Sequence, residues 1–170
     1  FEQQDAGSQQ IGSFVEAKPG ERVIDACAGS GGKTLQLAAS MEGKGVIIAM
    51  DTEQWKLDDL KKRAKRAGAF NIEPRVIDST KVIKRMYETA DRVLIRRMPD
   101  SKWRDGREHL NDIRNTQKDI LNRYSKMAKV GGIVVYSTCS IMPSENEDQI
   151  AAFLKENEGK FELIEDKHIM

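Results

Sequence analysis

The densest chemical signal lies in one short run, Asp25-Ala26-Cys27-Ala28-Gly29-Ser30-Gly31-Gly32-Lys33-Thr34. Glycines here let the backbone approach a ligand closely, and a helix starting at Lys33 offers free N–H groups. Three ligand classes use such a turn. A P-loop needs Gly-x-x-x-x-Gly-Lys-Ser/Thr; Gly32-Lys33-Thr34 fits its end, but Cys27 stands where its first glycine belongs, and no magnesium-binding acidic strand follows. A dinucleotide site needs Gly-x-Gly-x-x-Gly with an acid downstream. Gly29-Ser30-Gly31 begins it, Thr34 replaces the third glycine, and Asp51 is placed for a ribose. A methyltransferase uses the same turn for the amino-acid end of S-adenosylmethionine, with an acid on the ribose.

Asp51 suits the ribose in that third reading, because a carboxylate accepts hydrogen bonds from hydroxyls. Asp78 could accept from the adenine amino group. Helix capping after a strand is the ordinary alternative for both. Three acids, Asp25, Asp51 and Asp78, at three successive strand ends weaken coincidence as an explanation. Cys139 is the other reactive group. A thiol can act as a covalent nucleophile, although its position beside a strand, taken alone, reads better as a core cysteine.

The elements around these residues alternate between strand and helix. Strands are expected at residues 22–26, 45–50, 73–77, 92–95, 133–137 and 161–165. Helices are expected at 8–17, 33–41, 53–67, 82–87 and 112–127. The helix at 53–67 is the clearest, with Leu57, Leu60, Ala64 and Ala67 at helical spacing and Gly68 as C-cap. Ser144-x-x-Glu147 reads as a capping box starting a helix that runs to about Asn157. Continuous apolar strands such as Val46–Met50 and the one at 133–137 predict strands buried on both faces. This is an α/β fold with a mainly parallel sheet covered by helices on both sides. Ligands bind beyond the carboxyl ends of such strands. That places Asp25, Asp51, Asp78 and Cys139 on one rim.

Composition narrows the class without choosing a function. Hydrophobic residues make up 39% and charged residues 32%, ordinary values for a soluble domain. The net charge of +1 does not announce a nucleic-acid binder. Basic residues cluster at Lys61, Lys62, Arg63, Lys65 and Arg66, and again at Arg96, Arg97, Lys102, Arg104 and Arg107. Such clusters are usually solvated faces. The second contains Trp103 and is the better candidate for RNA contact. Two cysteines and two histidines carry no metal-site spacing, so no metal is expected. No apolar run approaches the roughly 20 residues of a membrane span. The start has neither a basic segment nor an apolar signal core. A cytoplasmic protein without membrane contact is the expectation.

The run at 25–34 resembles the cofactor turn of the Nol/Nop/Sun RNA cytosine-5 methyltransferases, especially the bacterial members that modify small-subunit ribosomal RNA. Gln4-Asp5-Ala6-Gly7-Ser8-Gln9 resembles the opening of their catalytic domain. Arg96-Arg97-Met98-Pro99-Asp100-Ser101-Lys102-Trp103 resembles a characteristic later stretch. Val135-Tyr136-Ser137-Thr138-Cys139-Ser140, with Pro143-Ser144-Glu145-Asn146-Glu147, resembles the segment that carries the nucleophile. The resemblance spans nearly the whole chain. It implies a Rossmann-like class I fold, S-adenosylmethionine as cofactor and RNA, 16S ribosomal RNA in particular, as substrate. It puts Cys27, Ala28, Gly29, Ser30, Gly31, Gly32 and Lys33 around the cofactor, with Lys33 near its reacting end. It puts Asp51 on the ribose, Asp78 by the adenine, and makes Cys139 the nucleophile. In that chemistry a thiolate adds to carbon 6 of cytosine and turns the ring into an enamine able to attack the methyl group.

The family pattern is broken at one place. After the strand ending at Ile95 the family carries Asp-Ala-Pro-Cys-Ser-Gly and a few more residues before the Arg-Arg segment, and here Ile95 runs directly into Arg96. In the family that aspartate assists activation of the cytosine and that cysteine assists product release. Both flanks fit without other damage, which favours a segment missing from the sequence over a true deletion. A chain truly lacking the loop would bind cofactor but be impaired in catalysis, leaving a cofactor- and RNA-binding module. The family's N-terminal RNA-binding region and last antiparallel strand also have no counterpart in residues 1–170, which read as the catalytic domain alone.

Overall fold

The computed structural model describes residues 3–97, 107–140 and 142–165, with the side chains of Arg97 and residues 107–111 outside the description. The elements run α1 (Ala6–Phe14), β1 (Arg22–Asp25), α2 (Gly32–Ser40), β2 (Val46–Asp51), α3 (Gln54–Ala67), β3 (Ile72–Val76), α4 (Thr80–Lys84), β4 (Ala90–Arg97), α5 (Arg107–Tyr124), β5 (Ala128–Thr138) and α6 (Glu147–Glu156). The sheet order is β3-β2-β1-β4-β5. Every pairing is parallel. The chain moves outward from β1 to β3, then returns to β4 on the other side of β1. The carboxyl ends of β1 and β4 therefore flank the switch point where such sheets bind ligands.

The apolar strands alternate between two cores. Ile24, Ile48, Met50, Val93 and Ile95 face one side, against Ile83 of α4, Leu121 and Tyr124 of α5 and Phe153 of α6. Val23, Ile47 and Leu94 face the other, against Leu37 and Met41. Leu57, Leu60 and Ala64 of α3 pack on Ala49, Leu35 and Ala28. Period-two alternation thus persists in strands with no polar face, because both faces are covered.

Several sequence expectations are corrected. Helix α1 begins and ends earlier than the 8–17 expected, because Asp5 caps it by accepting the Ser8 N–H at 2.8 Å. Ser144 is no helix cap. It lies in a 3-10 turn, Pro143–Glu145, where its hydroxyl accepts from Arg114 Nη2 at 2.7 Å. Helix α6 starts only at Glu147, after Asn146. Residues 161–165 form no strand; Phe161 instead rests its ring on Phe153 with centroids 5.0 Å apart. Strand β5 is partly rather than fully buried, since it lies at the edge of the sheet. Among the described residues no helix is long and apolar enough to cross a membrane.

Candidate active site

The glycine turn is built mainly by side chains that end strands. Asp25, 1% exposed, closes β1. Its carboxylate accepts the Thr34 hydroxyl at 2.7 Å and the Cys27 N–H at 3.4 Å, which folds the turn back on the start of α2. Burial raises the Asp25 pKa, against the opposing pull of Arg96, the Thr34 hydroxyl, the Cys27 amide and Lys33. Gly31 sits at the N-cap of α2 with φ of 90°. A Cβ there would lie 2.1 Å from Leu60 Cδ1, so this glycine lets α3 close onto the turn. Arg63 of the same helix donates to the Ser30 carbonyl at 2.7 Å.

Asp51 ends β2 and is bonded to the turn. One carboxylate oxygen accepts the Gly29 N–H at 2.9 Å and the other accepts the Glu53 N–H at 3.0 Å. Each oxygen keeps a lone pair for a hydroxyl donor. Beyond β3, the Ile77 N–H donates to the Asp51 carbonyl at 2.9 Å, and the exposed Asp78 follows at the next position. Asp78 accepts from the Ser79 hydroxyl at 2.9 Å. Asp51 and Asp78 thus stand at adjacent strand ends on one rim.

Lys33 is 5% exposed and donates from Nζ to the hydroxyl of Ser8. Its pKa is lowered by burial and by the neighbouring Arg96 guanidinium, while Asp25, Asp5 and Cys139 act in the opposite sense. Ser8 also accepts from Gln4 Nε2 at 3.1 Å, and Gln36 donates to the Gln9 carbonyl at 2.7 Å. These contacts lay the 4–9 segment across the start of α2. The Cys27 thiol is pushed up to about 11, chiefly by burial.

Strand β4 runs without interruption through the Ile95–Arg96 junction, with Arg96 paired to Ser137 and Arg97 to Thr138. Arg96 turns its guanidinium to the Cys27 carbonyl at 3.2 Å. Cys139 follows β5 directly and is exposed, which corrects its reading as a core cysteine. The residues on both sides of it are held. Thr138 Oγ1 donates to Asn146 Oδ1 and accepts the Ser140 N–H at 3.2 Å. Asn146 Nδ2 donates to the Ser140 carbonyl at 2.8 Å. The Ser140 hydroxyl donates to Glu145 Oε1 at 2.9 Å, and Gln117 Nε2 of α5 donates to Glu145 Oε2 at 2.8 Å.

The rim thus joins the turn residues Cys27–Lys33, Asp51, Asp78 and Cys139. Sequence reasoning missed Arg63 and Gln117 as parts of it, read Arg96 only within a basic cluster and a family stretch, and gave Thr34, Glu145 and Asn146 only as members of the motif runs 25–34 and 143–147. The motif 143–147 signalled Glu145 and Asn146 by its resemblance to the nucleophile segment, while its spacing reads as a helix cap. Of the two basic clusters, the first lies on α3, where Lys61 and Lys62 pair with Asp58 and Asp59. Most of the second, including Trp103 and the stretch 98–103, lies outside the described residues.

The turn is poorly suited to polyphosphate. The N–H groups of Cys27, Gly29 and Gly31 already donate within the fold, two of them to carboxylates. Thr34, the residue that would serve magnesium in a P-loop, donates to Asp25. The sheet order and rim define a Rossmann-like methyltransferase fold, and solved methyltransferases share it. Residues 13–168 match the family described as 16S rRNA methyltransferase RsmB/F, and the chain belongs to that family.

A probable ribosomal RNA small subunit methyltransferase B of Synechocystis sp. is 34% identical over 166 residues, 91% of this chain and 37% of that protein. The tRNA (cytosine(72)-C(5))-methyltransferase NSUN6 of Mus musculus is 30% identical, over 89% of this chain and 36% of its own length. The crystal structure of NSun6 from Pyrococcus horikoshii with SFG superposes with a TM-score of 0.80 at 27% identity, over 90% of this chain and 41% of that one. The chain thus spans less than half the length of each.

Proposed function

We propose that this chain binds S-adenosylmethionine at the Cys27–Lys33 turn and, as part of the catalytic domain of an RNA methyltransferase, methylates carbon 5 of a cytosine through Cys139. The observation that carries the reading is the exposed Cys139 directly after β5, at the carboxyl end of the parallel sheet where Asp25, Asp51 and the glycine turn also lie. The Pyrococcus relative was solved with SFG, an analogue of this cofactor. Relatives named for 16S ribosomal RNA and for tRNA cytosine 72 support RNA as substrate, with ribosomal RNA the preferred one.

The residues present fit the cofactor. Asp51 has carboxylate lone pairs to spare for ribose hydroxyls, and Asp78, exposed after the next strand, could accept from an adenine amino group. Gly29 to Gly32 leave the turn without side chains except at Ser30, and Lys33 and Arg96 offer cations to a carboxylate. S-adenosylmethionine supplies an electrophilic methyl group. The Cys139 thiolate adds to carbon 6 of the cytosine, forming a C–S bond and moving an electron pair to carbon 5, which takes the methyl group as its bond to the donor sulfur breaks and a neutral thioether leaves. Loss of the carbon-5 proton expels the thiolate and restores the ring.

A second reading is favoured by one observation. The end of β4 carries Arg96, not an acid, and its guanidinium lies on the Cys27 carbonyl. On that reading the chain binds cofactor and RNA but turns over slowly. The two are separated by transfer of labelled methyl to 16S ribosomal RNA by the full-length protein, alongside calorimetry with S-adenosylmethionine, ATP and NAD. Methyl transfer lost in Cys139→Ala supports the first reading. Full activity in Cys139→Ala overturns the nucleophile, and binding of ATP or NAD alone overturns both.

A further inference from the structure

The segment after Cys139 is held by a buried carboxylate that cofactor binding does not require. Glu145 is 5% exposed, and among the described residues the side chains that donate to it, Ser140 and Gln117, are neutral. Gln117 is itself 1% exposed, on α5. A carboxylate buried among neutral donors contributes little to stability that an apolar residue would not supply better. Its geometry fits a different task. Ser140 Oγ donates to Glu145 and accepts the Met142 N–H at 3.1 Å, so its hydroxyl is held from two directions. On the other side of Cys139, Thr138 reaches across to Asn146 and to the Ser140 amide. Tyr136, two residues further back on β5, donates from its hydroxyl to the Glu145 carbonyl at 3.3 Å. The backbone is fixed on both sides of a cysteine whose side chain is exposed.

We propose that Glu145 is a positioning residue for Cys139: acting through Ser140 and anchored to α5 by Gln117, it sets the direction of the thiol toward the cytosine. The inference rests on Cys139 being the nucleophile. Glu145 does not touch the reacting atoms. Its role is to hold the thiol in line with carbon 6, where a displacement of about 1 Å costs on the order of 100-fold in rate.

The test measures covalent capture of Cys139 by RNA containing 5-fluorocytosine, in which fluorine replaces the proton that must leave. Capture is read by peptide mass spectrometry, with S-adenosylmethionine affinity, thermal midpoint and alkylation of Cys139 by chloroacetamide measured in parallel. In Glu145→Gln and Ser140→Ala, capture is expected to slow by at least about tenfold. Cofactor affinity and chloroacetamide alkylation should stay within about twofold of wild type, because a small reagent needs no fixed approach. Ser140→Thr, which keeps the hydroxyl, should recover capture relative to Ser140→Ala. Wild-type capture rates in both variants would overturn the positioning role, as would a loss matched by an equal fall in cofactor affinity. Capture of the RNA by a residue other than Cys139 would overturn the nucleophile itself, and the positioning role with it.

Discussion

The Asp51 carboxylate accepts the backbone N–H of Gly29 at 2.9 Å, so the end of β2 and the turn after β1 are one mechanical unit. A ligand held by Asp51 is thereby registered against the glycine turn without any contact of its own to that turn.

Asp51→Asn should break this unit. The amide offers one acceptor oxygen where two backbone donors, Gly29 and Glu53, now bond a carboxylate. Hydrogen bonds to charged groups contribute about 1.5–3 kcal/mol, so S-adenosylmethionine affinity should fall about 10–100-fold. Calorimetry reads the change directly. Unchanged affinity would remove Asp51 from the cofactor site.

Thr34→Val should destabilise the fold by about 2 kcal/mol, because it takes the hydroxyl from a buried carboxylate. Thr34→Ser should recover most of the loss. Urea denaturation of the three proteins checks this. A Thr34→Val protein as stable as wild type would show that Asp25 is satisfied without it.

Burial pushes the Cys27 thiol up to about 11, above its ordinary value of 9.0. The folded chain therefore holds this proton more tightly than the unfolded one. The resulting stability is complete below pH 9.0 and is lost as pH rises through about 11. Cys27→Ala should remove this component of the slope, as measured by denaturation midpoints across that window. At pH 8 the exposed Cys139 should be alkylated well before Cys27.

The parts of this protein legible from its residues are those set by local pattern. Apolar runs such as Val46–Met50, the spacing of Leu57, Leu60 and Ala64, and the acids at strand ends led to the parallel sheet and its rim. The parts that were not legible depend on distant partners. Ser144-x-x-Glu147 has the spacing of a capping box, but Arg114, thirty positions earlier, takes the hydroxyl. Cys139 beside an apolar strand reads as core until the sheet order shows that β5 is an edge. Nothing in the spacing of Glu145 shows that it is buried, with Gln117 of α5 and Ser140 donating to its carboxylate.

Insertion of Asp-Ala-Pro-Cys-Ser-Gly between Ile95 and Arg96 should raise methyl transfer. It would move Arg96 off the Cys27 carbonyl and place an acid at the end of β4, where the family resemblance puts it. General acid–base assistance contributes about 100- to 10,000-fold, and a gain toward that range in single-turnover transfer is expected. Cofactor affinity should fall by no more than the loss of Arg96 as one of two cations near the turn, since Asp51, Asp78, Lys33 and the turn stay in place. Equal activity in the two chains would show that the end of β4 takes no part in the chemistry.

Two neighbouring glycines should separate folding from binding. Gly31 has φ of 90°, and a Cβ there would meet Leu60 Cδ1 at 2.1 Å, so Gly31→Ala should destabilise the chain by roughly 1–3 kcal/mol whether or not ligand is present. At Gly32 a Cβ would meet nothing within 4 Å, and the position opens α2. Gly32→Ala should leave the thermal midpoint near the wild-type value or slightly above it, because alanine favours a helix. If the amino-acid end of the cofactor lies over this turn, the added methyl group occupies its space, and affinity for S-adenosylmethionine should fall at least about tenfold. Thermal melts with and without cofactor read both effects in one experiment. A Gly32→Ala protein stabilised by cofactor as strongly as wild type would place the ligand away from the start of α2.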